Sequence, residues 1–156
     1  MLKFPLRTEY ALRALMELAG RRKDGYLPAR EIAKRQNIPV RFLEHQLSAL
    51  SKAGIVESVR GASGGCMLAR DPADIRIVDV IEAIEGPLAP MYCLDPHEDE
   101  QCSESHQCGL QELWMRVEGA VRSVFEHTTI ADLVERHRTL QPLLWPTIIA
   151  RGVSRD

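Results

Sequence analysis

Apolar residues recur at helical spacing from Leu6, with Tyr10, Ala14, Leu15, Leu18 and Ala19 on the same face. That periodicity predicts a first helix over Leu6–Arg22, ended by Lys23-Asp24-Gly25. Pro28 to Gln36 predicts a short second helix, its proline near the start and Ile32 and Ala33 inward. Asn37-Ile38-Pro39 is a turn, because Asn tolerates left-handed backbone and Pro opens a new helix. Val40, Leu43, Leu47 and Leu50 follow at 3-4-3 spacing before Gly54, giving a third helix with one apolar stripe and one polar face. The period then changes to that of strands. Ile55–Arg60 reads as a strand, Gly61–Gly65 as a glycine-rich turn and Cys66–Ala69 as a returning strand. Two short helices around a tight turn form a helix-turn-helix. A glycine-rich hairpin directly after the second of them is a wing, and that order is more specific than either part.

Val78, Ile81 and Ile84 mark a fourth helix closed by Gly86-Pro87. The stretch Met91–Cys108 has no apolar periodicity and predicts a loop. Leu110, Leu113, Val117, Val121 and Val124 then run in helical register to about His127. This long helix has one apolar seam and little preceding structure to bury it, so it is expected to pair with its copy in a dimer. Thr129-Ile-Ala-Asp132 resembles a capping motif opening a last short helix with Leu133 and Val134. Beyond Leu140 the tail is apolar but interrupted by Pro142 and Pro146. The expected class is mainly α, a winged helix-turn-helix with a two-stranded β wing and a long dimerisation helix. Its expected organisation is a DNA-binding domain over 1–86, a cysteine-rich loop over 87–109, the dimerisation and short terminal helices over 110–140, and a tail over 141–156.

Charge sharpens this picture. Residues 1–70 carry 13 Lys/Arg against 6 Asp/Glu, a net of +7, while residues 71–156 carry 7 against 16, a net of −9. A basic amino-terminal half is the footprint either of a nucleic-acid surface, with the acidic half held away from phosphate, or of a face that serves solubility alone. Arg60, at the base of the wing tip, is placed either to enter a narrow minor groove or to sit as a solvated strand-end charge. With 156 residues, 45% of them apolar, the chain fits one domain plus an appended element. No signal peptide pattern opens it and no apolar run approaches the ~20 residues of a membrane span, so a cytoplasmic protein is expected.

Three of the four cysteines, Cys93, Cys102 and Cys108, fall in the polar loop at C-x8-C-x5-C spacing among five acids. In a cytosolic chain, clustered cysteines point to metal ligation or redox sensing rather than disulfides. Zinc held by these thiols with His97 or His106 has legitimate ligand types, although structural zinc sites usually use two close-spaced pairs. A metal-free thiol switch is less suited, because acidic neighbours disfavour a reactive thiolate. Cys66 lies apart, on the same side of its strand as Leu68, and reads as a small buried hydrophobe. No Ser-His-Asp arrangement is present and the wing glycines lie between strands, so no enzyme is expected. Glu9, in or near the first turn of the first helix, suits the positive end of a helix dipole.

Together, Thr8-Glu-Tyr-Ala-Leu-Arg13, Phe42-Leu-Glu44, Leu50-Ser-Lys-Ala-Gly-Ile-Val56 and Val59-Arg-Gly-Ala-Ser-Gly-Gly65 resemble the Rrf2 family of transcriptional regulators. The three-cysteine loop before a long helix completes the likeness, which covers about residues 2–138. The resemblance implies a homodimeric winged-helix repressor on a double-stranded DNA operator. In many members the three loop cysteines hold an iron–sulfur cluster, 4Fe–4S ahead of 2Fe–2S here, that senses iron, nitric oxide or redox state. Arg41, Glu44 and His45 fall where the family reads the major groove and Arg60 where it enters the minor groove, with Pro28, Lys52 and Ser63 completing the expected DNA contacts. The fourth cluster ligand varies among members. IscR-like members use a His three residues after the last Cys, where this chain has Gln111. NsrR-like members use a carboxylate on the first helix of the other subunit, and Glu9 matches that position. Cys108-Gly-Leu and the wide first spacing look closer to RirA-like members. A zinc-bound or cluster-free, CymR-like regulator of the same family remains the alternative.

Overall fold

A computed structural model describes residues 5–61, 64–88 and 108–150, with side chains described as far as Leu140 except that of Asp24. Helix α1 spans Leu6–Gly20 and stops where Arg21 leaves helical geometry; a 3-10 turn over Arg22–Asp24 follows, ahead of Gly25 at φ 77°. Helix α2, Ala29–Gln36, begins behind Pro28 and ends at Asn37, whose left-handed backbone (φ 52°, ψ 49°) makes the tight turn. Among the described non-glycine residues only Asn37 has positive φ, the conformation its short polar side chain tolerates best. Helix α3, Val40–Lys52, starts behind Pro39 and is followed by Gly54 at φ 68°.

Strands β1, Val56–Val59, and β2, Gly65–Leu68, pair antiparallel with Val56 opposite Leu68 and Val59 opposite Gly65. A third segment supports this hairpin: Leu27 and Cys66 exchange backbone hydrogen bonds of 2.9 and 2.8 Å, fixing the wing to the chain that enters α2. Helix α4, Ile77–Glu85, is closed by Gly86 at φ 88°. Helix α5 spans Gly109–Glu126 and α6 spans Ile130–Ala150. No helix among the described residues is long and apolar enough to cross a membrane.

The core gathers Leu15 and Leu18 of α1, Ile32 of α2, Leu43 and Leu50 of α3, Ile55 and Val56 at the wing base, and Val80 and Ile81 of α4. Ile130, fully buried, ties the start of α6 to the same core, and its N–H donates to the Ile75 carbonyl at 2.9 Å. Helix α5 has no buried residue along its 18 positions. Leu110, Leu113 and Val124 of the expected seam are exposed.

Three differences from the sequence expectation have physical causes. Leu6, expected inward, is exposed, whereas Thr8 is only 2% exposed because its hydroxyl donates to Glu85 at the end of α4. Gln46, inside the α3 stripe, is 4% exposed and its side-chain amide donates to the Phe42 carbonyl at 3.3 Å. A satisfied polar group can occupy a core position that an unsatisfied one could not. The last helix, expected to be short, runs to Ala150. It is opened by the reciprocal Thr129–Asp132 box and continues through Pro142 and Pro146, residues expected to interrupt it.

Candidate nucleic-acid interface and cysteine centre

Helix α3 buries Leu43, Gln46, Leu47 and Leu50, and that places Arg41, Glu44, His45 and Lys52 in solvent on the opposite side. The wing begins beside it. A cleft of about 450 Å³ separates α3 from the hairpin, and Glu44, Ser48, Lys52, Ser58 and Arg60 line it. Three residues of α3 and two of the hairpin therefore share one concave face. Its floor includes Cys66, 6% exposed, whose thiol lies 3.4 Å from the Ser58 hydroxyl, in agreement with its expected buried role. His45 and Lys52 also line a second groove, against Ala83 of α4. Pro28 is exposed ahead of α2, and Ser63 lies outside the described residues.

The hairpin keeps this shape because its glycines cannot be replaced without moving backbone. A Cβ on Gly65 would lie 2.5 Å from the Leu27 carbonyl, the group that anchors the wing. Gly61 adopts φ 120°, which an L side chain rarely allows.

Several arginines away from this face are held in ion pairs. Arg7 pairs with Glu85, Arg22 with Asp71, Arg35 with Glu31 at 2.6 Å, Arg76 with Asp79 at 2.7 Å and Arg122 with Glu82 at 3.0 Å. Arg41, Lys52 and Arg60 have no ion pair or side-chain hydrogen bond with another described residue. Cations left unpaired on one face are available to displace counterions from a polyanion.

The cysteine centre is described at its end only. Cys108 is half-buried and caps the start of α5, its carbonyl accepting from the Glu112 N–H at 3.2 Å. Its donor sulfur therefore sits at the positive end of an 18-residue helix, where negative charge is favoured. Cys93 and Cys102, with His97 and His106, lie outside the described residues. Glu9 is in the first turn of α1 and its side chain is 57% exposed. It accepts one surface hydrogen bond, from Arg13 at 3.3 Å, and an exposed pair four residues apart is worth only about 0.3–0.5 kcal/mol. The carboxylate is thus cheap to recruit. Arg13 also donates to the Gln36 carbonyl at 2.7 Å, linking the Glu9 site to the turn between α2 and α3. Three thiols and an available carboxylate are donor chemistry that fits an iron–sulfur group.

One anchor escaped sequence reasoning. Glu85, the last residue of α4 and four positions before the undescribed part of the cysteine loop, accepts from Arg7 and Thr8 of α1. Burial raises its pKa, but the hydrogen bonds from Arg7 and Thr8 and the Arg7 charge outweigh burial and hold it below the usual carboxylate range.

Comparison with known proteins agrees with this geometry. The model of the Rrf2 family, described as iron-dependent transcriptional regulators, matches residues 5–136. An Rrf2-like HTH-type transcriptional regulator of Rhodobacter capsulatus is 38% identical over 132 residues, covering 81% of this chain and 88% of its own. Among solved structures, CymR, the global cysteine regulator of Bacillus subtilis, superposes with a TM-score of 0.69 at 35% identity, over 87% of this chain and 98% of its own. IscR of T. potens gives a TM-score of 0.70 at 31% identity, over 90% and 91%.

Proposed function

The chain belongs to the Rrf2 family of transcriptional regulators, and from that premise we propose that it is a homodimeric repressor whose DNA affinity is set by an iron–sulfur cluster on Cys93, Cys102 and Cys108. Winged-helix DNA binding is the family's trade; what is specific to this chain is how the cysteine loop is connected to it. The observation that carries the proposal is Arg13, which holds both Glu9 and the Gln36 carbonyl at the helix-turn-helix turn. Glu9 of the partner protomer is proposed as the fourth ligand, so engaging it releases Arg13 from its carboxylate. Because α1 packs Ala11, Ala14, Leu15 and Leu18 into the core shared with α3, a shift of α1 is felt by the recognition helix. A bound cluster would supply an iron site that iron loss, nitric oxide or oxidant can dismantle. The exposed seam on α5 supports the dimer, and two recognition helices related by a two-fold axis suit half-sites about one helical turn apart.

Anaerobic purification with an absorption spectrum and iron and sulfide counts tests the cofactor. The expected outcome is visible charge-transfer absorption with about four iron and four sulfide per chain. The likeness to CymR, a cysteine regulator, favours a second reading, a zinc-bound or cluster-free regulator. Stoichiometric zinc without sulfide, or no metal at all, would establish that one instead.

A further inference from the structure

Phe42 is the one aromatic side chain in the exposed class among the described residues, at 60% exposure. It stands in the first turn of α3, on an element whose other exposed residues, Arg41, Glu44, His45, Ser48 and Lys52, are all polar. Other large exposed apolar side chains lie on α5, at Leu6 and in the wing. Residues three apart on a helix are turned about 60° from one another, so Phe42 shares a flank with His45. Glu44 lies on the opposite flank, which lines the wing cleft. Helical side chains lean toward the N-terminus, so Phe42 projects toward the end of α3 whose residues meet base edges in a helix-turn-helix. Gln46 holds its carbonyl from beneath.

Each polar neighbour has a hydrogen-bonding partner on a base edge, but none can recognise the thymine C5-methyl group, which is read by apolar contact. We propose that Phe42 is a specificity-determining residue that packs on a thymine methyl in the major groove of each half-site. This rests on the DNA-binding reading above.

The test begins with a duplex selected from a random library by the wild-type protein. Each thymine is then replaced by deoxyuridine, symmetrically in both half-sites, which removes a methyl and nothing else. One buried methyl is worth about fourfold in affinity, so at one symmetric pair the wild type is expected to lose about fifteenfold. Phe42→Ala, whose removed side chain is exposed and so should leave the melting curve unchanged, is expected to bind the thymine and uracil duplexes equally, and Phe42→Leu to keep part of the difference. Equal wild-type binding at every position, or a Phe42→Ala protein with the wild-type thymine-to-uracil ratio, overturns the proposal. So does dissociation of Phe42→Ala into monomers on sedimentation with no change in that ratio, which would assign Phe42 to a contact between copies. Failure to retain any duplex would instead sink the DNA-binding reading, and the proposal with it.

Discussion

Glu9 and Glu85 are two carboxylates at the ends of neighbouring helices, and their surroundings give them opposite roles. Glu9 is exposed and loosely held by Arg13, so it is free to leave. Glu85 is largely buried and takes hydrogen bonds from Arg7 and Thr8, so it stays. The first difference predicts that Cys102→Ala loses the cluster outright, while Glu9→Ala assembles one that chelator removes faster and that no longer governs DNA affinity. Spectra recorded anaerobically during chelator challenge check this. A Glu9→Ala protein with wild-type chelator resistance and DNA response would make Glu9 only a helix-start acid. The second difference predicts a pH dependence. The folded-state pKa of Glu85 is depressed, so its contribution is fully present above the ordinary carboxylate pKa and is lost as pH falls through the lower folded value. Denaturant midpoints for wild type and Glu85→Gln should therefore differ at neutral pH and converge in acid. A constant gap down to acid pH contradicts this assignment.

At the scale of elements, the wing and α5 are the parts with the least margin. Gly65→Ala would press a methyl into the Leu27 backbone and break the bridge to Cys66. It is expected to cost about 1–3 kcal/mol in chemical denaturation and to weaken DNA binding further by displacing Arg60. Val124→Asp, which places a charge in the exposed seam of α5, should yield folded monomers at micromolar concentration on sedimentation. The order of helices, turn and wing was legible in the sequence because its signals are local: Asn37 before Pro39, Gly54 after the apolar stripe, glycines between two short strands. The burial of Thr8 was not, because its partner Glu85 lies 77 residues away. The burial of Gln46 was not legible either, since only the folded helix shows its amide turned back to Phe42. The site residues Arg41, Glu44, His45, Lys52 and Arg60 could be named singly from the sequence. The cleft that Glu44, Lys52 and Arg60 share depends on how Leu27 seats the wing, which no periodicity encodes.

At the scale of the whole molecule, a basic winged-helix half is joined to an acidic half that holds Cys93, Cys102 and Cys108 and carries the exposed apolar seam of α5. The two are connected through α1, which touches α2, α3, α4 and α6 and bears Glu9. Through this connection the state of the cysteine centre is proposed to set DNA affinity. The measurement that tests it most directly is the dissociation constant of the anaerobically purified dimer for a selected operator, before and after the cluster is removed by chelator, at fixed salt. A coupling of this kind is typically worth about 5–150-fold. A change within that range is expected, absent in Glu9→Ala, with both forms losing affinity steeply as salt rises. Equal affinity of the loaded and stripped dimers would contradict it.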